Sequence, residues 1–154
     1  MTDRAQKEKL IREIYAARVN NDMETISRAF AVDVKYRMVG KPGRTETAIQ
    51  AESFYQFKPL VEQMMKTFIM SDLNIRNIVI EGERAVVHWQ VKIESGKTGD
   101  VASTELCDVL EFKDGKIVSF TEFYDTALAG RLLGSAPPRR LPANDLPTRY
   151  RRTR

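Results

Sequence analysis

Four consecutive segments in the second half of the chain alternate between apolar and polar side chains, and three short turn sequences separate them. The turns read "EGE", "SGKTGD" and "DG". A period of two over successive segments of this length predicts antiparallel strands with one buried face. The chain is therefore expected to build one sheet from residues 73–80, 85–94, 101–113 and 116–124.

Three helices and one further strand are predicted before this run. Apolar residues recur at helical spacing over 4–19, and Asp22 is the predicted N-cap of a second helix over 23–30. The stretch "DVKYRMV" at 33–39 alternates as a half-buried strand, and Pro59 suits the first turn of a third helix. This order predicts an α+β fold with helices on one face of a mostly antiparallel sheet.

Composition restricts the functional classes. With 154 residues, 42% of them hydrophobic, the chain can form one domain with a real core. It has no apolar run of the roughly 20 residues that cross a bilayer, and its charged start "MTDRAQKEKLIREIY" lacks a signal core. The single cysteine, Cys107, and the single histidine, His88, exclude an internal disulfide and a Cys/His zinc cluster. We therefore expect a cytoplasmic protein with no membrane contact, no metal and no cofactor.

The positive charge is concentrated at the end of the chain. Residues 134–154 contain six arginines and one aspartate, a net charge of +5, whereas the whole chain carries +4. Residues 1–133 are therefore close to neutral, at about −1. We predict a folded domain over 1–133 and a Pro/Arg-rich tail over 134–154 that is disordered or docked on a partner. Because the body lacks a basic surface charge, nucleic acid is not the expected partner.

One carboxyl group interrupts the apolar face of the third predicted strand of the sheet. Asp108 falls in step with Leu106, Leu110 and Phe112. An anion among such side chains is costly, so the pKa of Asp108 is expected to rise until the group can donate a hydrogen bond at neutral pH.

The turn after that strand decides whether a second acid joins Asp108. A two-residue turn at 114–115 would place Glu122 on the opposite face. A three-residue turn at 113–115 with a bulge would pair Asp108 with Phe120 and place Glu122 on Asp108's face. We favour the three-residue turn, since it gathers apolar side chains around both acids.

Several segments together resemble the nuclear-transport-factor-2-like superfamily, within it the SnoaL-like and ketosteroid-isomerase-like branch. They are "YAARVNND", "VDVKYRMVG" and "DVLEFKDGKIVSFTEFYD", within a likeness that covers residues 5 to about 133. The resemblance implies a cone-shaped, curved sheet packed on three N-terminal helices around an apolar pocket. It also implies a small apolar ligand and a homodimer.

The resemblance also implies roles for individual residues. Tyr15 and Asp108 match the tyrosine and the protonated aspartate that hold the enolate oxygen in ketosteroid isomerases. Met38 stands where those enzymes have their general base, so the same isomerase reaction is not expected. In SnoaL-like cyclases a pocket acid removes a proton beside a carbonyl, a role open here to Glu122 or Asp108.

A second template, limonene epoxide hydrolase, retains its tyrosine at Tyr36. Met38, Trp89 and Val91 replace its asparagine, arginine and one aspartate, so epoxide hydrolysis of that type is not predicted. Two hypotheses remain: a cofactor-independent isomerase, cyclase or lyase acting on a small apolar carbonyl compound, or a non-catalytic binding or dimerisation module. Under both, the expected pocket lining is Tyr36, Met38, Trp89, Val91, Phe120, Tyr124, Phe54 and Tyr55.

Overall fold

The computed structural model describes residues 3–40 and 49–134. The predicted order of three helices and five strands is confirmed; the structure also has a short strand, β2, and a short final helix, α4. The tail beyond Gly134 and residues 41–48 of the long connection lie outside the described residues. The elements are α1 (Arg4–Val19), α2 (Met23–Ala29), β1 (Phe30–Met38), β2 (Gln50–Ala51), α3 (Phe54–Thr67), β3 (Phe68–Glu81), β4 (Arg84–Ser95), β5 (Val101–Lys113), β6 (Lys116–Phe123) and α4 (Thr126–Leu132).

Side-chain caps fix where the helices begin. The predicted N-cap Asp22 is confirmed, since its carboxylate accepts a hydrogen bond from the Thr25 amide at 3.0 Å. The third helix begins earlier than predicted, at Phe54, because the Ser53 hydroxyl caps it, and Pro59 therefore lies in its second turn. Within 3–40 and 49–134, no helix is long and apolar enough to cross a membrane.

The six strands form one curved sheet that does not close into a barrel. The strand order is β2-β1-β6-β5-β4-β3, and every neighbouring pair is antiparallel except β1 and β6. Helices α1 and α3 pack against the sheet. The inner face supplies much of the hydrophobic core, including the buried side chains of Val87, Trp89, Val91, Leu106, Leu110, Ile117 and Phe120.

The turn between β5 and β6 differs from the prediction. Lys113 pairs with Lys116, so the turn contains only Asp114 and Gly115, at φ values of 50° and 76°. Two successive residues in the left-handed region are typical of a tight hairpin turn, where Asp-Gly is a favoured sequence. The predicted three-residue turn is therefore wrong.

A bulge in β6 places Asp108 and Glu122 on the same face of the sheet, which was the result expected from the three-residue turn. Phe112 pairs with Ile117 and Glu111 pairs with Ser119, which leaves Val118 as an extra residue. The register beyond the bulge is shifted by one residue. Asp108 is consequently paired with Glu122 and not with the predicted Phe120, and both carboxyl groups lie on the buried face.

Candidate functional site

Helix α1 contributes two polar side chains to the candidate site. Its buried face carries Ile11, Ile14 and Tyr15, and Arg18 follows at the same helical spacing. Tyr15 was predicted from the sequence, whereas Arg18 was not. A cation in step with an apolar stripe is the signal that could have found it.

Arg18 and Glu122 form an ion pair inside the protein. Arg18 Nη1 and Nη2 each donate a hydrogen bond of 3.1 Å to a different oxygen of Glu122. The two side chains are only 14% and 1% exposed. The Tyr36 hydroxyl donates a third bond, at 3.1 Å, to Glu122 Oε2. Burial alone would lower the pKa of Arg18, but the charge and hydrogen bonds of Glu122, together with Tyr36 and Asp108, outweigh it and raise that pKa, so the guanidinium stays charged.

Asp108 lies beside this pair without a cation of its own. Its Oδ2 accepts hydrogen bonds from the Tyr15 hydroxyl and from Trp89 Nε1, the latter at 2.7 Å. Within the described residues Oδ1 has no hydrogen-bond partner, although it is buried. Burial, and then the nearby charge of Glu122, raise the pKa of Asp108 well above its usual value. The neutral carboxylic acid is therefore the favoured form, and Oδ1 is the natural position for its proton.

The two tyrosines of the site remain hydrogen-bond donors. Burial raises the pKa of Tyr15, and the neighbouring Asp108 raises it further. Burial likewise raises the pKa of Tyr36, with Glu122 as the next cause. Both hydroxyl groups are thus protonated throughout the physiological pH range.

Two small cavities adjoin these groups. The first, called here the aromatic cavity, measures about 30 Å³ as the volume open to the centre of a water-sized sphere, and its wall includes Tyr15, Phe30, Tyr36, Phe57 and Phe120. The second, called here the aliphatic cavity, measures about 40 Å³ on the same basis, and its wall includes Met38, Met70, Ile93, Leu106, Glu122 and Leu132. Of the residues that the structure describes, only Arg18 and Met64 line both cavities.

The structure brings several of the predicted residues to these cavities. Tyr15, Tyr36 and Phe120 line the aromatic cavity. Met38, Glu122 and Tyr124 line the aliphatic cavity. Residues from both the helical first half and the strand-rich second half of the chain therefore line the two cavities, and Arg18 lies in the wall between them.

Other predicted residues lie elsewhere. Asp108, Trp89 and Val91 are fully buried behind the cavity walls and line neither cavity. Phe54 is half-buried against Phe57, with ring centroids 6.0 Å apart. Tyr55 is 81% exposed, because the early start of α3 turns it towards solvent, and it is not part of either wall.

The comparisons with known proteins agree with this architecture. The family model for the SnoaL-like domain matches residues 11–120. No curated protein sequence matches the chain. Among solved structures, TerC co-crystallised with polyporic acid is 20% identical, with a TM-score of 0.73 over 84% of this chain and 99% of that one.

Two further structures are similar over most of their length. A ketosteroid-isomerase-like protein from Catenulispora acidiphila, in complex with trimethylamine, is 11% identical with a TM-score of 0.68, over 82% of this chain and 93% of that one. An LEH-like epoxide hydrolase from M. tuberculosis is 18% identical with a TM-score of 0.66, over 84% of this chain and 85% of that one. Likeness at this level of identity confirms the predicted fold and leaves the reaction to be argued from the site.

Proposed function

We propose that this chain, which belongs to the SnoaL-like domain family, is a cofactor-independent enzyme that moves a proton on a small, largely apolar carbonyl compound, as an isomerase, cyclase or lyase. One observation supports this above all others: two buried carboxyl groups, at paired positions of neighbouring strands, lie in opposite electrostatic settings. Glu122 is paired with Arg18, whereas Asp108 has no cation and favours its neutral form. Such divergence is the usual basis for assigning acid and base roles to two carboxyl groups.

Tyr15 is the proposed donor to the carbonyl oxygen. It lines the aromatic cavity, and its hydroxyl group donates a hydrogen bond to Asp108, which lies behind the cavity wall. When a substrate oxygen enters, the proton of neutral Asp108 moves from Oδ1 to Oδ2, the oxygen next to Tyr15. Asp108 then donates to the Tyr15 oxygen, and Tyr15 can turn its O–H towards the substrate oxygen. Asp108 is thus a positioning residue, and it acts through Tyr15.

Glu122 is the proposed proton acceptor. Its carboxylate has about four lone-pair sites, and the contacts within the described residues use three, two with Arg18 and one with Tyr36. One site is left for a proton from the carbon beside the carbonyl. When Glu122 becomes neutral, the negative charge moves to the enolate oxygen, and Arg18 can stabilise it there because Arg18 lines both cavities.

A second function is favoured by the scarcity of free proton acceptors among the described residues of the cavity walls. Besides Glu122, Asp125 lines the aliphatic cavity, but its carboxylate already caps α4. Met38, in the wall of the aliphatic cavity, cannot take a proton, and both Glu122 oxygens are already hydrogen-bonded. These observations support a non-catalytic binder of a small apolar molecule on the same scaffold.

We also propose that the protein forms a homodimer through the outer face of its sheet. Val79 is paired with Val86, which is paired with Val109, so three valines form a row on that face. Val79 is 61% exposed and Val86 is 37% exposed. A second copy would remove this apolar row from water.

The experiment that separates enzyme from binder follows exchange of α-protons with solvent. Acetophenone, butyrophenone and hexanophenone are incubated with the protein in D₂O, and loss of the α-proton signal is measured by NMR. Because a positioned general base contributes about 10²–10⁴-fold, Glu122→Gln should slow exchange by about that factor. The matched control is Glu105→Gln, which changes an exposed acid on β5.

Each outcome has one interpretation. Exchange that persists in Glu122→Gln at the wild-type rate would remove Glu122 from the mechanism. Ketones that raise the thermal stability of the protein without any exchange would establish the binder instead.

A further inference from the structure

Two side chains separate the aromatic cavity from the aliphatic cavity. Within 3–40 and 49–134, Arg18 and Met64 are the only residues that the two walls share. A water molecule requires about 10–15 Å³ on this measure of volume, so 30 Å³ and 40 Å³ leave room for only a few waters each. A six-membered ring that carries an alkyl chain therefore fits neither cavity alone unless a wall residue moves.

Only one of the two shared residues is free to move. Arg18 is held by two hydrogen bonds to Glu122, and its guanidinium lies 5.3 Å from the centre of the Trp89 ring. Met64 has one weak polar contact, from the Tyr36 hydroxyl to its sulfur at 3.9 Å. An unbranched thioether side chain has three rotatable bonds and adapts to irregular space. Met64 is therefore the part of the partition that can move aside.

The two cavities differ in chemistry. Phe30, Phe57 and Phe120 give the first flat aromatic walls. The second is lined mostly by aliphatic side chains such as Ile93 and Leu106, although Phe68 and Tyr124 also lie in its wall. A planar ring packs well against aromatic faces, and a flexible chain can fill an aliphatic space. The polar groups lie at the boundary: Tyr15 on the aromatic side, Glu122 on the aliphatic side and Arg18 between them.

We propose that Met64 is a movable gate between the two cavities and that the ligand is an aryl ketone-like compound with a ring in the aromatic cavity and an alkyl chain in the aliphatic cavity. This rests on the proposed function, since it places the carbonyl oxygen near Tyr15 and Arg18. The contacts within 3–40 and 49–134 use two of the five N–H groups of Arg18, so others remain for the oxygen. The α-carbon then lies at the partition, on the side that Glu122 lines. Met64 sets how long the chain can be.

The test measures affinity against chain length, with no turnover required. Acetophenone and hexanophenone are titrated into the wild type, Met64→Ala, Met64→Phe and Met65→Ala, with binding measured by calorimetry. Met64→Ala should bind hexanophenone about tenfold more tightly relative to acetophenone, because no side chain has to be displaced. Met64→Phe should weaken hexanophenone by about tenfold and leave acetophenone within about threefold.

Met65→Ala is the matched control. Met65 is the next residue of α3, is similarly buried (9% exposed against 7% for Met64) and lines neither cavity. It should change affinity for both ketones equally. Circular dichroism establishes that each variant is folded, and if Met64→Ala does not fold, Met64→Phe carries the test.

The possible failures are distinguishable. Equal chain-length dependence in all four proteins would refute the gate while leaving the proton-transfer function intact. A Met64 effect on chain length together with unchanged exchange in Glu122→Gln would retain the gate and refute the proposed mechanism. No binding of either ketone by any variant would refute the ligand assignment and the gate with it.

Discussion

Replacing Asp108 by asparagine should remove part of the pH dependence of the free energy of unfolding. In the folded protein, burial and the charge of Glu122 raise the pKa of Asp108 well above 3.8. In the unfolded chain the group titrates at its ordinary value. Between these two pKa values the folded state holds one proton more than the unfolded state. The stability contributed by neutral Asp108 is therefore complete below the ordinary pKa and is lost as pH rises towards the folded-state pKa.

The magnitude follows from one proton. Each pH unit in that window removes about 1.4 kcal/mol from the free energy of unfolding of the wild type. Asp108→Asn has no titrating group there and keeps an oxygen to accept from Tyr15 and Trp89. Its amide takes the place of Oδ1, which has no partner among the described residues. An unsatisfied amide costs about 1–3 kcal/mol, but that cost is constant with pH. The test therefore depends on the slope of the unfolding free energy against pH and not on its absolute value.

The assay is urea unfolding from pH 4.5 to pH 8, followed by the fluorescence of Trp89, the chain's single tryptophan. The difference in unfolding free energy, variant minus wild type, should increase with pH at about 1.4 kcal/mol per unit and level off at the folded-state pKa. Asp33→Asn, which changes an exposed carboxyl group on β1, is the control and should leave the slope unchanged. Parallel curves for the wild type and Asp108→Asn would show that Asp108 is ionised in the folded protein, and the account of the site would fail.

Two further predictions test the ion pair and the outer face of the sheet. Arg18→Leu leaves Glu122 buried without its cation and should lower the free energy of unfolding by about 3–5 kcal/mol, whereas adding Glu122→Gln should recover part of the loss. Strictly additive losses in this double-mutant cycle, measured by urea unfolding, would contradict coupling between the two side chains. If the homodimer forms through the valine row, Val86→Lys should yield a monomer by light scattering, while Val32→Lys, at an exposed position on β1, should not. A monomeric wild type would exclude the dimer.

The sequence predicted most of the fold because its signals are local. Alternation marked the strands, and the Asp22 cap needs only residues within one helical turn. The same alternation placed Asp108 on the buried face, where the structure has it. The shift at Val118 was not predictable, because a bulge is a compromise between two strands and the turn that joins them. It produced the expected proximity of Asp108 and Glu122 by a different route.

Arg18 was missed for a different reason. A charged residue is almost never buried unless it is paired, and the partner of Arg18 is 104 residues away along the chain. Local patterning therefore favours an exposed position for such a residue. Only the folded sheet, which brings the end of β6 against the end of α1, reveals that the cation has a buried anion to meet.

The neutral state of Asp108 and the ion pair of Arg18 with Glu122 depend on each other. If both acids were ionised, two anions would share one cation in an interior from which water is largely excluded, and the excess charge would be costly. With Asp108 neutral, Arg18 and Glu122 balance. If Glu122 then takes a proton from a carbonyl compound, the new negative charge appears on the enolate oxygen beside the same Arg18, so the balance is unchanged. In the proposed reaction the barrier would therefore be lowered without any change in the net charge of the interior, as long as Asp108 remains neutral beside the ion pair.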